Sequence, residues 1–184
     1  MALGFGAAGT VVFGANVGSL TLSPVAPSSN ADSLNFLVAI WKTSATNEPT
    51  ITTTLGTWTK LAFSDSAVDV ATGADVGSTG TVVYYSLGTA PTGTNVNWGG
   101  TVNAGQAVIV NYTKASNESY ILAAAIGADE SYGANYSATT TTNFNAVAND
   151  WLVAFTGINT DVGSSSAKVI TATGLTLSAT NSRV

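Results

Sequence analysis

Apolar residues along this chain fall into short, dense runs separated by polar and glycine-rich gaps. The strongest is residues 34–41 (LNFLVAIW), nearly continuous and so read as a core strand buried on both faces. It lies in an expected strand 33–42, and further strand-like runs are 10–15, 19–23, 50–54, 58–64, 81–87 (TVVYYSL), 95–98 and 106–113 (QAVIVNYT). Residues 120–128 (YILAAAIGA), 143–147, 150–158, 168–173 and 175–179 continue the series. In 120–128 the alanines blur the period, and strand is favoured over a short helix. The gaps carry turn chemistry: Asn16-Val17-Gly18, Pro24 and Pro27 with the SSNAD cluster, Gly56-Thr57-Trp58, Pro91 with Gly93, and Gly99-Gly100. A long loop is expected from Asp65 to Thr79. No segment sustains a 3.6-residue apolar period, and about a dozen short strands with frequent turns predict an all-β fold. The expected architecture is a single-domain, two-sheet antiparallel β-sandwich of jelly-roll type over residues 10–184, with a closed β-barrel as the alternative. Residues 1–9, small and glycine-rich, read as a flexible or docking arm.

Composition narrows the functional classes. Charged residues make up 8% of the 184, against about 25% in ordinary globular domains, and Thr, Ser, Asn, Gly and Ala replace them. With 45% apolar residues and a net charge of −5, the chain lacks the signature of disorder. Five Lys and Arg in total argue against a nucleic-acid groove. The apolar runs are too short to span a bilayer as helices. The start lacks the basic region of a secretory signal, so synthesis in a cytosol, or export by another route, is expected.

There is no Cys and no His, so no Ser-His-Asp or Cys-His arrangement and no ordinary zinc site can be built within the chain. No phosphate-binding or dinucleotide-binding glycine motif is present. Paired carboxylates (Asp129-Glu130, Asp150, Asp65) are formally open to glycoside hydrolysis, although a solvated turn is the simpler reading. Asp65, Asp69 and Asp75 are a candidate for calcium but lack EF-hand spacing, and a solvated acidic loop explains them as well. No cofactor is expected.

Of the tryptophans, Trp41 and Trp151 sit in core-strand runs and Trp58 at a common packing position. Trp98, before Gly99-Gly100, is the one placed for exposure and for stacking on a sugar ring. The sequons at Asn111, Asn117 and Asn135 matter only in a eukaryotic secretory setting. There is also an internal echo. Residues 37–40 (LVAI) resemble 152–155 (LVAF), and 51–54 (ITTT) before Gly56 resemble 170–173 (ITAT) before Gly174. Duplication and convergence in a threonine-rich β sequence explain it equally.

The run L-x-x-L-V-A at 34–40, T-I-T-T-x-x-G-x-W-T-K-L at 50–61 and V-V-Y-Y-S at 82–86 resembles β-sandwich domains of bacteriophage structural proteins. These include capsid decoration (cement) proteins, head fibres and tail appendages. The likeness covers the first half well and the second loosely, and its motifs are signatures of fold rather than activity. It implies a non-enzymatic virion protein, most simply a capsid decoration protein on the virion surface. Its partners would be other virion proteins of capsid or tail, and it would act as a homo-oligomer, a trimer being the first guess. Subunit or partner contacts are then expected from Ala2, Leu3, Phe5, Val11 and Val12 at one end and Leu175, Leu177 and Val184 at the other. The alternative is a carbohydrate-binding module or adhesin at a bacterial or extracellular surface, with a polysaccharide partner at Trp98.

Overall fold

The structure is a computed structural model that describes residues 4–23, 32–43, 48–65 and 78–113. Seven strands lie among the described residues: β1 (Gly4–Ala8), β2 (Val12–Leu22), β3 (Ser33–Thr43), β4 (Thr50–Thr52), β5 (Thr59–Asp65), β6 (Ser78–Leu87) and β7 (Thr94–Thr113). All pairings among them are antiparallel. They form one sheet in the order β1-β7-β3-β6-β5, with β2 and β4 also paired to β7. This path is open, with β1 and β5 at its ends among the described residues, so the barrel alternative is corrected.

Two strands depart from the expected pattern because they bend without stopping. The turn expected at Asn16-Val17-Gly18 is a corner within β2. Asn16 has φ 49°, a left-handed conformation that Asn tolerates better than most residues. The corner brings Val17 so close to Gly14 that a Cβ on Gly14 would lie 2.9 Å from Val17. The stretches 95–98 and 106–113, expected as separate strands, are two arms of β7. Between the pairs Val17↔Val102 and Ser19↔Asn97, β7 takes five steps to two in β2, a bulge that includes Gly99 at φ 69°.

Chain geometry requires the two arms to fold toward each other. Seven residues of straight strand, the separation of positions 98 and 105, would span about 23 Å. Yet a Cβ built on Gly105 would lie 2.7 Å from the Trp98 ring. The sheet therefore curls back over itself, and the enclosed space is the larger core. Leu37, Ala39, Trp41, Val82, Tyr84, Ala107 and Ile109 come from the flatter part. Leu20, Leu22, Val96 and Trp98 come from the returning ribbon, with Ile51 and Trp58 against them.

Side-chain size follows the register. Gly105, Trp41 and Gly80 stand side by side on β7, β3 and β6. A Cβ on Gly80 would run into the Trp41 ring. Trp41 thus lies over one glycine and Trp98 over the other, their ring centroids 6.3 Å apart. The next row, Ala107, Ala39 and Val82, is also small. These narrow rows make the trough that two indoles fill, which is how interiors reach close packing.

The opposite face of the same strands carries a second apolar layer: Leu34, Phe36, Val38 and Val83, with Ile40, Leu61, Tyr85, Val108 and Tyr112 around them. Phe36 and Tyr112 meet edge to face at 5.9 Å. β3 is accordingly buried on both sides, as its continuous apolar run predicts.

The described part of the expected N-terminal arm is β1, whose backbone pairs with β7 from Gly4↔Thr113 to Ala8↔Val110. The turns expected near Gly56 and Gly93 are present, with φ 84° and 58°. They interlock, since Leu55 bridges Thr92 and a Cβ on Gly56 would sit against Pro91. Of the expected loop from Asp65 to Thr79, the two ends belong to β5 and β6, and residues 66–77 lie outside the described residues. The predicted strands after Thr113, and with them the second half of the internal echo, also lie outside.

Candidate functional site

Two polar groupings stand out among the described residues. The first is a row across three strands at one end of the larger core. Asn35 is paired with Asn111 on β7 and with Ser86 on β6, and Asn35 and Asn111 are completely buried. Asn111 Nδ2 donates to Asn35 Oδ1 at 2.7 Å. Asn35 Nδ2 donates to the Gly88 carbonyl at 2.8 Å and lies 3.3 Å from Ser86 Oγ. Gly88, at φ 79°, donates its own N–H to the Ser33 carbonyl at 2.8 Å. The row fixes the start of the β6–β7 connection onto β3. Asn111 Oδ1 is buried without a hydrogen-bond donor from the protein. Buried polar atoms of this kind are normally satisfied, by water where the protein supplies nothing. The same burial places the Asn111 sequon out of reach in the folded chain.

The second grouping is Glu48, Lys60 and Tyr84. Lys60 Nζ lies 3.2 Å from the Glu48 carboxylate, and the Tyr84 hydroxyl lies 3.3 Å from Glu48 Oε1. Burial, and then the charge and hydrogen bonding of Glu48, push the Tyr84 hydroxyl up to about 12. A phenol held protonated, beside a carboxylate already paired with an ammonium, is poorly suited to proton transfer near neutrality. The grouping acts as a brace that joins the approach to β4 with β5 and β6. Its exposed ion pair contributes at most about 1 kcal/mol.

The residues singled out from sequence are placed differently from one another. Trp98 is 3% exposed and inside the larger core, so the expectation of an exposed stacking face is corrected. The adjoining glycines are themselves exposed and mark a bend within β7 rather than the end of a strand. Trp58 is half-buried against the same core, and its Nε1 donates to Thr94 Oγ1 at 3.1 Å. Val12 is half-buried and packs against the chain's own core. Val11 is half-buried. The side chain of Phe5, together with Ala2, Leu3, Leu175, Leu177 and Val184, lies outside the described residues. So do Asp69, Asp75, Asp129, Glu130, Asp150 and Trp151, while Asp65 is described only as the backbone end of β5. Among the described residues no three acidic, His or Cys side chains gather as a metal site would require.

Sequence reasoning missed Phe13, which is 65% exposed, and Leu55 and Leu87, which are also open. The signal for Phe13 was the alternation of β2: once Val12 faces the core, its neighbour faces out. What the described residues define is an all-β domain with an open antiparallel sheet, a closely packed core and apolar side chains on its surface. No protein-family model, curated protein or solved structure matches the chain.

Proposed function

We propose that this protein is a non-enzymatic structural subunit of a virion surface, a capsid decoration protein in its simplest form, with head fibre or tail appendage as close variants. The full domain is a jelly-roll-like two-sheet sandwich, and several copies act together. The observation that carries this reading is Phe13, a large apolar side chain left 65% exposed on β2, directly after the N-terminal stretch expected to make subunit contacts. Burying such a side chain in an interface contributes about 1.5–3 kcal/mol, and a free monomer gains nothing from it. A ring of copies adds modest interfaces through effective concentration, which suits attachment to a repeating lattice. The low charge and the Thr-, Ser- and Asn-rich composition agree with a surface that contacts other virion proteins. The carbohydrate-binding alternative rested on Trp98, whose burial takes away its one named residue.

The test is the mass in solution by light scattering, with and without calcium, for the native chain and for Phe13→Ser. A stable trimer or larger ring, indifferent to calcium and shifted toward lower mass by the substitution, is the expected outcome. A native monomer, or an oligomer that Phe13→Ser leaves intact, overturns the contact assignment.

A further inference from the structure

The second apolar face of the sheet is buried without any described element above it. Its members come from β3, β5, β6 and β7 and share one side of one sheet. Neighbours in the same sheet shield the flanks of a side chain and leave its tip open. The tips on the first face are closed by the returning β2–β7 ribbon. On the second face Leu34, Phe36, Val38 and Val83 are only 2%, 4%, 3% and 6% exposed. A further layer is required to bury them to this degree.

We propose that this layer is formed by residues 114–184 of the same chain. Three observations favour that occupant over a second copy. Leu34, Phe36, Val38 and Val83 are already buried within a single chain. The chain leaves β7 at Thr113, directly after Tyr112, which belongs to this face and whose hydroxyl burial holds above its ordinary range. And 114–184 contains apolar runs long enough to cover a sheet, YILAAAIGA at 120–128 and WLVAFTGI at 151–158. The intervening stretches 24–31 (PVAPSSNA) and 66–77 (SAVDVATGADVG) lack large apolar side chains other than valine.

The limits of the cover are also legible. Leu87 stands beside Leu34 in register, yet it is 57% exposed where Leu34 is 2%. Phe13 stands beside Gln106, next to Ile40, and is likewise open. The covering layer therefore spans the middle rows and stops short of these two residues. This assignment rests on the sandwich reading above and is independent of how many copies associate.

The experiment places benzoylphenylalanine, in the full-length chain, at Tyr85, a half-buried residue of this face. Isotopically heavy and light protein are mixed before irradiation, and the products are mapped by mass spectrometry. The expected product joins position 85 to a peptide within 114–184, with both halves of one isotope. Products of mixed isotope would assign the face to a second copy and overturn the proposal. Links to 24–31 or 66–77, or a probe that reacts only with solvent, would overturn it as well. If the substitution at Tyr85 prevents folding, the same probe at Tyr112 asks the same question. A monomer by light scattering would end the contact assignment at Phe13 and leave this result unaffected.

Discussion

On one face of β3, Leu37, Ala39 and Trp41 meet side chains that return to them across a bend in β2 and β7. On the other, Leu34, Phe36 and Val38 meet, among the described residues, only their neighbours in the same sheet. Both sets are equally buried. The first face is closed locally by a single ribbon whose corners, Asn16 and Gly99, are written into adjacent residues. The second is closed by no described element, and under the proposal above its cover comes from chain farther along the sequence. One strand thus belongs to two cores with different requirements: shape matching on the first, where glycines receive indoles, and broad apolar coverage on the second.

The largest effect that tests this comparison comes from truncating one residue on each face. Leu37→Ala should cost about 2–5 kcal/mol and Phe36→Ala about 3–5 kcal/mol, the usual range for fully buried side chains. Urea denaturation should show both as falls in the midpoint at unchanged slope. Should Phe36→Ala cost much less than Leu37→Ala, the second face is less enclosed than its neighbours imply, and the two cores are not equivalent.

A smaller effect belongs to the first core alone. The Tyr84 hydroxyl is raised from 10.0 to about 12 by burial and then by Glu48. The unfolded chain releases this proton first, so the contribution to stability is intact below pH 10. It falls as the pH rises from 10 toward 12. Glu48→Gln should shrink that alkaline loss without abolishing it, since burial is the larger cause. Stability measured from pH 8 to 12 for the two proteins reads the difference, and identical profiles would show that Glu48 does not act on Tyr84.

Much of the fold could be read from the chain because β3, β6 and the second arm of β7 are runs of β-branched and aromatic residues with few alternatives. The corners were harder. A residue at positive φ and a nearby glycine look the same in a turn that ends a strand as in a bend that continues it, so β2 and β7 each read as two strands. The burial of Trp98 was not legible, since its causes are Gly105 on the other arm and Trp41 on a different strand. The Asn35–Asn111 row carried a usable signal, because an asparagine inside each of two apolar runs (LNFLVA and VIVNYT) implies a partner for both.

The smallest effect separates two tryptophans of the larger core whose indole nitrogens are satisfied differently. Trp58 Nε1 donates to Thr94 Oγ1, while Trp98 Nε1 is buried with no partner in the protein. Trp58→Phe gives up a hydrogen bond whose net contribution is about 0.5–1.5 kcal/mol, and it leaves a buried hydroxyl oxygen with one contact fewer. Trp98→Phe gives up no such bond and removes an unsatisfied donor, which costs about 1–3 kcal/mol to bury. It also shortens the ring that covers Gly105, and the lost packing opposes the gain. The net change at Trp98 should therefore stay within about 1 kcal/mol of neutral and lie below the cost at Trp58. Paired denaturation curves decide the order. If Trp98→Phe is the more damaging change, its ring covers Gly105 and Trp41 more tightly than its missing hydrogen bond costs, and shape alone governs this core.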